Sequence, residues 1–329
     1  MNGTAFPESD RKKESAMKQV FIDGSAGTTG LRILDRLADR KDISLITLPE
    51  ETRKEISARR DALNRADIVF LCLPDDAARE AVSLIENDRT VVIDTSTAHR
   101  THPHWTYGFP EIGGLREQIR TSKRIANPGC HASGFIALAA PLVQAGVIGP
   151  DALLSCFSLT GYSGGGKKMI AQYEAPDRDP LLDAPRQYGL SQQHKHLPEM
   201  QQVCGLHAAP IFCPIVAPYY AGMEVTVPLY LEPGVPWDRA AIEDLYRQYY
   251  ASGLVRFVPD AQETGFLSAG AYAGRDDMEI TVQGSGNRLL LVARFDNLGK
   301  GASGAAIQNM NLIMGVEEST GLNIQEETI

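Results

Sequence analysis

No stretch of this chain stays apolar for the ~20 consecutive residues that a membrane-crossing helix needs. The opening residues, Met1 to Glu14, lack the apolar centre of a secretory signal. Positive charge is also in short supply: the net charge is −9, which argues against a nucleic-acid footprint. A local cationic pocket for a small anion remains compatible with that total. Cysteine is sparse and irregular. There are 5, an odd number, with no Cys-x-x-Cys pair. That pattern speaks against structural zinc and fits a reducing cytoplasm. Internal repeats and low-complexity tracts are missing, and the one glycine-lysine cluster lacks the spacing of a P-loop.

What remains is an ordinary globular composition, 43% hydrophobic and 22% charged over 329 residues, enough for two domains or one large one. The N-terminal half alternates strand and helix signals. Gln19–Asp23, Ile43–Leu48, Ile68–Leu73 and Thr90–Asp94 are short and nearly continuously apolar, the mark of a parallel sheet covered on both faces. Pro74 stops the third strand, and Asp75 or Asp76 is placed to cap the next helix. After about residue 150 strands dominate, at Leu153–Thr160, Ile211–Tyr219, Glu224–Leu231, Met278–Val282 and Leu289–Phe295. That texture predicts an α+β domain with a mostly antiparallel sheet. The helical stretch Gly301–Met314 should return to the first domain. The expected division is a disordered leader over 1–17, with Met17 an alternative start. A dinucleotide-binding domain follows over 18–130 and 300–329, and a substrate and oligomerisation domain over 131–299.

Four segments carry chemistry. Gly24-Ser25-Ala26-Gly27-Thr28-Thr29-Gly30 follows a strand and opens a helix, so its backbone N–H groups can approach a pyrophosphate. Glu50 stands near the position of a ribose-binding acid, while Arg53 and Lys54 can take a 2′-phosphate, which favours NADP. Pro74 and Gly301 are further expected cofactor contacts. The second segment, Asn127-Pro128-Gly129-Cys130, is a sharp turn into an apolar helix. A thiol there faces unpaired N–H groups and the positive end of the helix dipole, which favour thiolate. Cys72, Cys156, Cys204 and Cys213 lie in apolar surroundings and read as core. Third, His194 and His196 in Gln193-His194-Lys195-His196-Leu197-Pro198-Glu199 share one face of an extended segment and can exchange protons with the thiol. A metal site would need further ligands close by, and none is expected. Fourth, Gly161-Tyr162-Ser163-Gly164-Gly165-Gly166-Lys167-Lys168 forms an amide-rich cationic turn suited to an anion. Arg100, after the fourth strand, can hold a phosphate bidentately.

These segments, with Tyr107-Gly108-Phe109-Pro110-Glu111 and Asn297-Leu298-Gly299-Lys300-Gly301-Ala302-Ser303-Gly304, occur in order over about residues 19 to 315. Together they resemble the N-acetyl-γ-glutamyl-phosphate reductases of arginine biosynthesis, in their shorter form. His131-Ala132-Ser133-Gly134 departs from the aromatic-small-Thr-Gly of the longer form. The resemblance implies a Rossmann-type NADP-binding domain and a substrate domain that also forms the interface of a homo-oligomer, dimer or tetramer. It implies Cys130 as nucleophile and matches His194, His196 and Glu199 to the family's His-x-His and following glutamate; one histidine, His196 before His194, should move the proton, and Arg100, Lys167 and Glu199 are second-rank substrate contacts. The implied reaction is NADPH-dependent reduction of an acyl phosphate in the cytoplasm, without nucleic acid or membrane. A reductase of carrier-linked glutamyl phosphate or aspartyl phosphate, or a dinucleotide-sensing protein without chemistry, are the competing readings.

Overall fold

The computed structural model describes residues 17–324. The expected leader therefore lies outside the described residues except for exposed Met17. The first half is a run of β/α units: β1 (Lys18–Asp23), α1 (Thr28–Leu37), β2 (Ile43–Ile46), α2 (Ile56–Arg65), β3 (Ile68–Leu71), α3 (Asp75–Ser83) and β4 (Val91–Asp94). It continues through β5 (Thr106–Tyr107), α4 (Leu115–Thr121), β6 (Arg124–Ala126) and α5 (Cys130–Gln144). The six strands form one parallel sheet in the order β2-β1-β3-β4-β6-β5. The chain leaves β1 to one side and returns on the other. The crevice beyond the ends of β1 and β3 is thus a topological switch point, where open α/β sheets bind ligands. The helix after β3 is capped by Pro74; Asp75 instead accepts from the Thr97 N–H at 2.9 Å, tying α3 to the loop after β4.

The second half contains β7 (Ser155–Gly161), α6 (Gly166–Glu174), β8 (Arg186–Gln187), α7 (Leu197–Cys204), β9 (Ile211–Ala217), β10 (Met223–Tyr230), α8 (Arg239–Tyr249), β11 (Val255–Phe257), β12 (Met278–Ser285) and β13 (Arg288–Phe295). The sheet order is β11-β12-β13-β10-β7-β9-β8. The β7–β9 and β11–β12 ladders are parallel and the others antiparallel, matching the mostly antiparallel expectation. A π-helical turn (Gly299–Ser303) then leads into α9 (Gly304–Met314).

Two elements join the halves. Helix α5 is apolar on every side and so is buried on every side, from His131 through Leu142. It packs with α7, α8 and the inner face of the second sheet. Helix α9 returns as its sequence suggested. Its Ala306, Ile307, Met310 and Leu312 pack with Val20, Ile22, Phe70 and Ile93 of the first sheet. The head of α5, the end of β4 and the π turn consequently meet at one place.

Candidate active site

The glycine loop forms one wall of the switch-point crevice. Gly24 has φ +86°, and a Cβ on it would stand 2.3 Å from the Cys72 carbonyl oxygen, so only glycine closes the turn. A Cβ on Gly30 would likewise press on the Gly24 oxygen at 2.5 Å. Gly27 caps α1, and Thr28 opens it with a buried Oγ1 that lacks a partner among the described residues. An orphaned hydroxyl and bare N–H groups at a helix start are the fit expected for a pyrophosphate. Gly24, Ser25 and Ala26 line the groove, as do Glu50, Arg53 and Lys54 after β2. Arg53 donates to Glu50 at 2.9 Å, but the Glu50 carboxylate is 83% exposed, so that pair is weak and Arg53 is free to exchange partners. Pro74 does not line this groove; Leu73 and Ala77 beside it do.

Thr29, on the first turn of α1, belongs to a second cleft of about 400 Å³, together with Arg100, Cys130, His194, Lys195, His196 and Gly301. The structure therefore brings the glycine loop, the cysteine turn and the paired histidines together. Gly129 caps α5 in extended conformation, leaving Cys130 as the first helical residue. The turn is held from three directions. The Asn127 side chain donates to Ala302 O at 2.9 Å, the Asn127 carbonyl accepts from Arg100 Nε at 2.9 Å, and the Gly129 N–H donates to Glu199 Oε2 at 3.1 Å. A Cβ on Gly129 would lie 2.4 Å from Arg100 Nη1, 2.5 Å from His196 Nε2 and 2.7 Å from Glu199 Oε1. The Pro-Gly-Cys turn needs its glycine because three functional side chains converge on it. Gly301 plays the same part on the other flank, where a Cβ would stand 2.9 Å from the Cys130 Cβ.

The electrostatics overturn one expectation. Burial pushes the Cys130 thiol up to about 11, although Arg100 and the His131 N–H pull it down. Some of the residue's surface opens on the cleft, but protein surrounds the sulfur, and desolvation of a thiolate outweighs the helix start. The free protein thus holds a neutral thiol. Burial also lowers the imidazoles: His194 to about 4, aided by Lys195 and Arg100, and His196 well below its ordinary value, aided by Arg100. Both are uncharged near neutrality. His194 Nδ1 accepts the His196 N–H at 3.2 Å, which puts the His194 proton on Nε2. His196 Nδ1 is buried and without a partner among the described residues.

Two expected substrate contacts are corrected. Glu199 is 1% exposed, and its oxygens are taken by Arg100 Nη1 at 2.7 Å, the Tyr107 hydroxyl at 2.6 Å and the Gly129 N–H. It anchors the turn from behind and does not line the cleft. Lys167 is exposed on the first turn of α6 and also lies outside the cleft wall. Gly161, Gly164 and Gly165 of that loop do line it, and the available lysine is Lys195. Arg100 is where the sequence placed it. Burial opposes its charge, but Glu199 outweighs that and keeps it ionised. Nε, one Nη1 proton and one Nη2 proton are engaged with Asn127, Glu199 and Thr95, which leaves donors over for an anion. Sequence reasoning missed Tyr107, Tyr188 and the side chain of His131. His131 carried a signal in its place next to Cys130, and Tyr107 in opening the Tyr-Gly-Phe-Pro-Glu segment; Tyr188 carried none. Among the described residues no group of His, Cys, Asp or Glu is arranged to hold a metal ion, and no helix is long and apolar enough to cross a membrane.

Comparison with known proteins bears on this arrangement. Residues 19–122 match the semialdehyde dehydrogenase NAD-binding domain, and residues 130–297 match the semialdehyde dehydrogenase dimerisation domain. The chain is 46% identical over 307 residues to the N-acetyl-γ-glutamyl-phosphate reductase of Brucella ovis, covering 90% of this chain and 99% of that one. It is 44% identical over 305 residues to the enzyme of the same name from Sinorhizobium fredii, covering 90% and 98%. Among solved structures, aspartate semialdehyde dehydrogenase II of Vibrio cholerae superposes with a TM-score of 0.67 at 17% identity, over 91% of this chain and 99% of that one. The Candida albicans aspartate semialdehyde dehydrogenase with NADP gives 0.67 at 15%, over 91% and 99%. At those identities the structural likeness speaks for the fold.

Proposed function

The chain belongs to the N-acetyl-γ-glutamyl-phosphate reductase family, and from that membership we propose how its site works. It is an oxidoreductase that uses a nicotinamide dinucleotide. In this reading it converts N-acetyl-γ-glutamyl phosphate to N-acetylglutamate 5-semialdehyde and phosphate, a cytoplasmic step of arginine biosynthesis, through a thioester on Cys130. The observation that carries the reading is the shared cleft: Cys130, Arg100 and both histidines open onto the same space as Thr29 of the glycine loop.

Each side chain has a task. Arg100 and Lys195 draw the phosphate into the cleft. The arriving negative charge offsets the two cations that depress the imidazoles, so the histidines become more basic as proton transfer begins. Cys130 sulfur bonds to the acyl carbon, its proton passes to His196, and the carbon–oxygen bond to phosphate breaks. His194 donates from Nε2 to the departing phosphate. Free N–H groups at the head of α5 face the oxygen that gains charge. Gly24, Ser25 and Ala26, with Arg53 and Lys54, would hold a reduced nicotinamide dinucleotide, which when bound would supply the hydride. Cys130 holds the acyl group in place throughout, replacing a collision with an oriented encounter, and then leaves as the aldehyde forms. Arg53 and Lys54 support NADP as the dinucleotide, since both can reach a 2′-phosphate from the groove wall. Residues 18–130 with the segment from 300 onward make up the cofactor half, and 131–299 the substrate half.

Cys130→Ser tests this directly. Turnover of N-acetyl-γ-glutamyl phosphate should vanish while NADPH binding, read by fluorescence, stays nearly unchanged. Turnover at the wild-type rate would refute the nucleophile.

A further inference from the structure

His131 follows Cys130, and the chemistry above makes no use of its ring. That residue is 3% exposed and contributes to the cleft wall. Its Nδ1 is 2.6 Å from the Ser158 hydroxyl and its Nε2 is 2.6 Å from the Tyr188 hydroxyl. A neutral imidazole has one N–H and one bare nitrogen, so each of these contacts has a direction. Ser158 decides which. It lies on β7, fully buried, and the His131 ring is the sole partner of its hydroxyl among the described residues. Were the proton on Nδ1, the Ser158 proton would be buried with nothing to accept it, an arrangement that native interiors avoid. Ser158 therefore donates to Nδ1, the ring proton is on Nε2, and Nε2–H donates to the Tyr188 oxygen.

The consequence falls on Tyr188. With its oxygen already accepting from His131, its own proton points elsewhere, and among the described residues nothing accepts it. Tyr188 lines the cleft with Cys130 and His194. Its ring packs edge-on against His194, centroids 6.0 Å apart, and its N–H is fixed to Pro214 O at 3.0 Å. Burial raises the pKa of the Tyr188 hydroxyl, and charge on the Cys130 sulfur adds to that, so the proton is kept. Burial, His194 and Lys195 hold the His131 imidazole down to about 3, so the ring stays neutral and the direction of the relay does not reverse near neutrality.

We propose that Tyr188 is a further catalytic residue, its hydroxyl proton aimed by a Ser158–His131 relay at the substrate oxygen that gains negative charge when Cys130 attacks. This rests on the acyl-transfer reading above. Tyr188 donates a hydrogen bond and transfers no proton; Ser158 and His131 are positioning residues that act through it.

Two measurements test the proposal. In ¹⁵N-labelled wild-type protein, NMR should show His131 as the Nε2–H tautomer, without titration from about pH 5.5 to 8.5. An Nδ1–H tautomer, or titration in that range, overturns the relay whatever the substrate is. In kinetics with N-acetyl-γ-glutamyl phosphate, Tyr188→Phe should lower kcat by ~10²-fold with little change in KM. Ser158→Ala should lower kcat by several-fold, Ser158→Thr should restore it, and Ser158→Ala should cost nothing more in the Tyr188→Phe background. Wild-type kcat in Tyr188→Phe, or an equal cost of Ser158→Ala in both backgrounds, overturns the proposal. A wild-type protein that fails to turn over this acyl phosphate counts against the parent reading alone, and the tautomer still judges the relay.

Discussion

At Cys130 two effects oppose one another, and their sizes decide the resting state. A helix start and a guanidinium favour thiolate, but taking a charged sulfur out of water costs more, and the thiol is held near 11. A group whose pKa is raised is protonated below that value, so the reactive fraction grows tenfold per pH unit throughout the neutral range. Inactivation of the free protein by iodoacetamide should accelerate about tenfold per unit between roughly pH 7 and 9. A plateau below pH 8 would mean a thiolate already formed. This residue also marks what the sequence could reveal. The cysteine turn and the paired histidines were legible as segments because each is a local pattern, and they meet in one cleft. The thiol's ionisation was not, since desolvation depends on distant chain such as the turn at Gly301, which packs against Cys130. Glu199 was misread for the same reason: its three partners come from positions 100, 107 and 129, distant in sequence. Tyr188 gave no local signal at all.

The element that most needs explanation is the π-helical turn Gly299–Ser303, which presses its backbone against Cys130. Lys300 runs inward from that turn, 2% exposed, and donates to both Glu111 oxygens at 2.9 and 2.8 Å. Gln308 and the Leu254 N–H add further hydrogen bonds to Glu111. Burial lowers the Lys300 ammonium below its usual value. Burial also opposes charge on Glu111, but Lys300 and the amides outweigh it and hold the carboxyl below the ordinary range. A pair this enclosed is most costly when one partner is removed. Lys300→Met should cost ~3–5 kcal/mol in urea unfolding, and adding Glu111→Gln should recover much of it. A loss below ~1 kcal/mol would show that the turn does not depend on the pair. In the sequence, Gly-Phe-Pro-Glu and Gly-Lys-Gly stood out as segments, but nothing in either indicated that they clasp each other across 189 positions.

For the molecule as a whole, short apolar runs and helix periodicity were sufficient to read two sheets and the returning helix α9, since both rest on local patterning. The outer face of the second sheet shows what a single chain leaves unfinished. Phe157, Tyr230 and Leu290 are 46%, 69% and 44% exposed. Register puts Phe157 beside Thr226 and Pro228 beside Leu290 on that face. Large side chains exposed together on a sheet mark an interface. Residues 130–297 match a dimerisation domain, and a second copy is the occupant we propose. Sedimentation should give a particle of at least two chains, and Tyr230→Asp with Leu290→Asp should shift it toward monomer. A wild-type monomer at micromolar concentration would rule this face out as the contact.

If Cys130 carries the acyl group, the adduct can be trapped on it. The protein is incubated with N-acetylglutamate 5-semialdehyde and NADP in the absence of phosphate, quenched in acid, digested and analysed by peptide mass. An N-acetylglutamyl adduct should appear on the peptide containing Cys130 and be missing in Cys130→Ser. An adduct on another residue, or none from wild-type protein that turns over normally once phosphate is added, would contradict that role for Cys130.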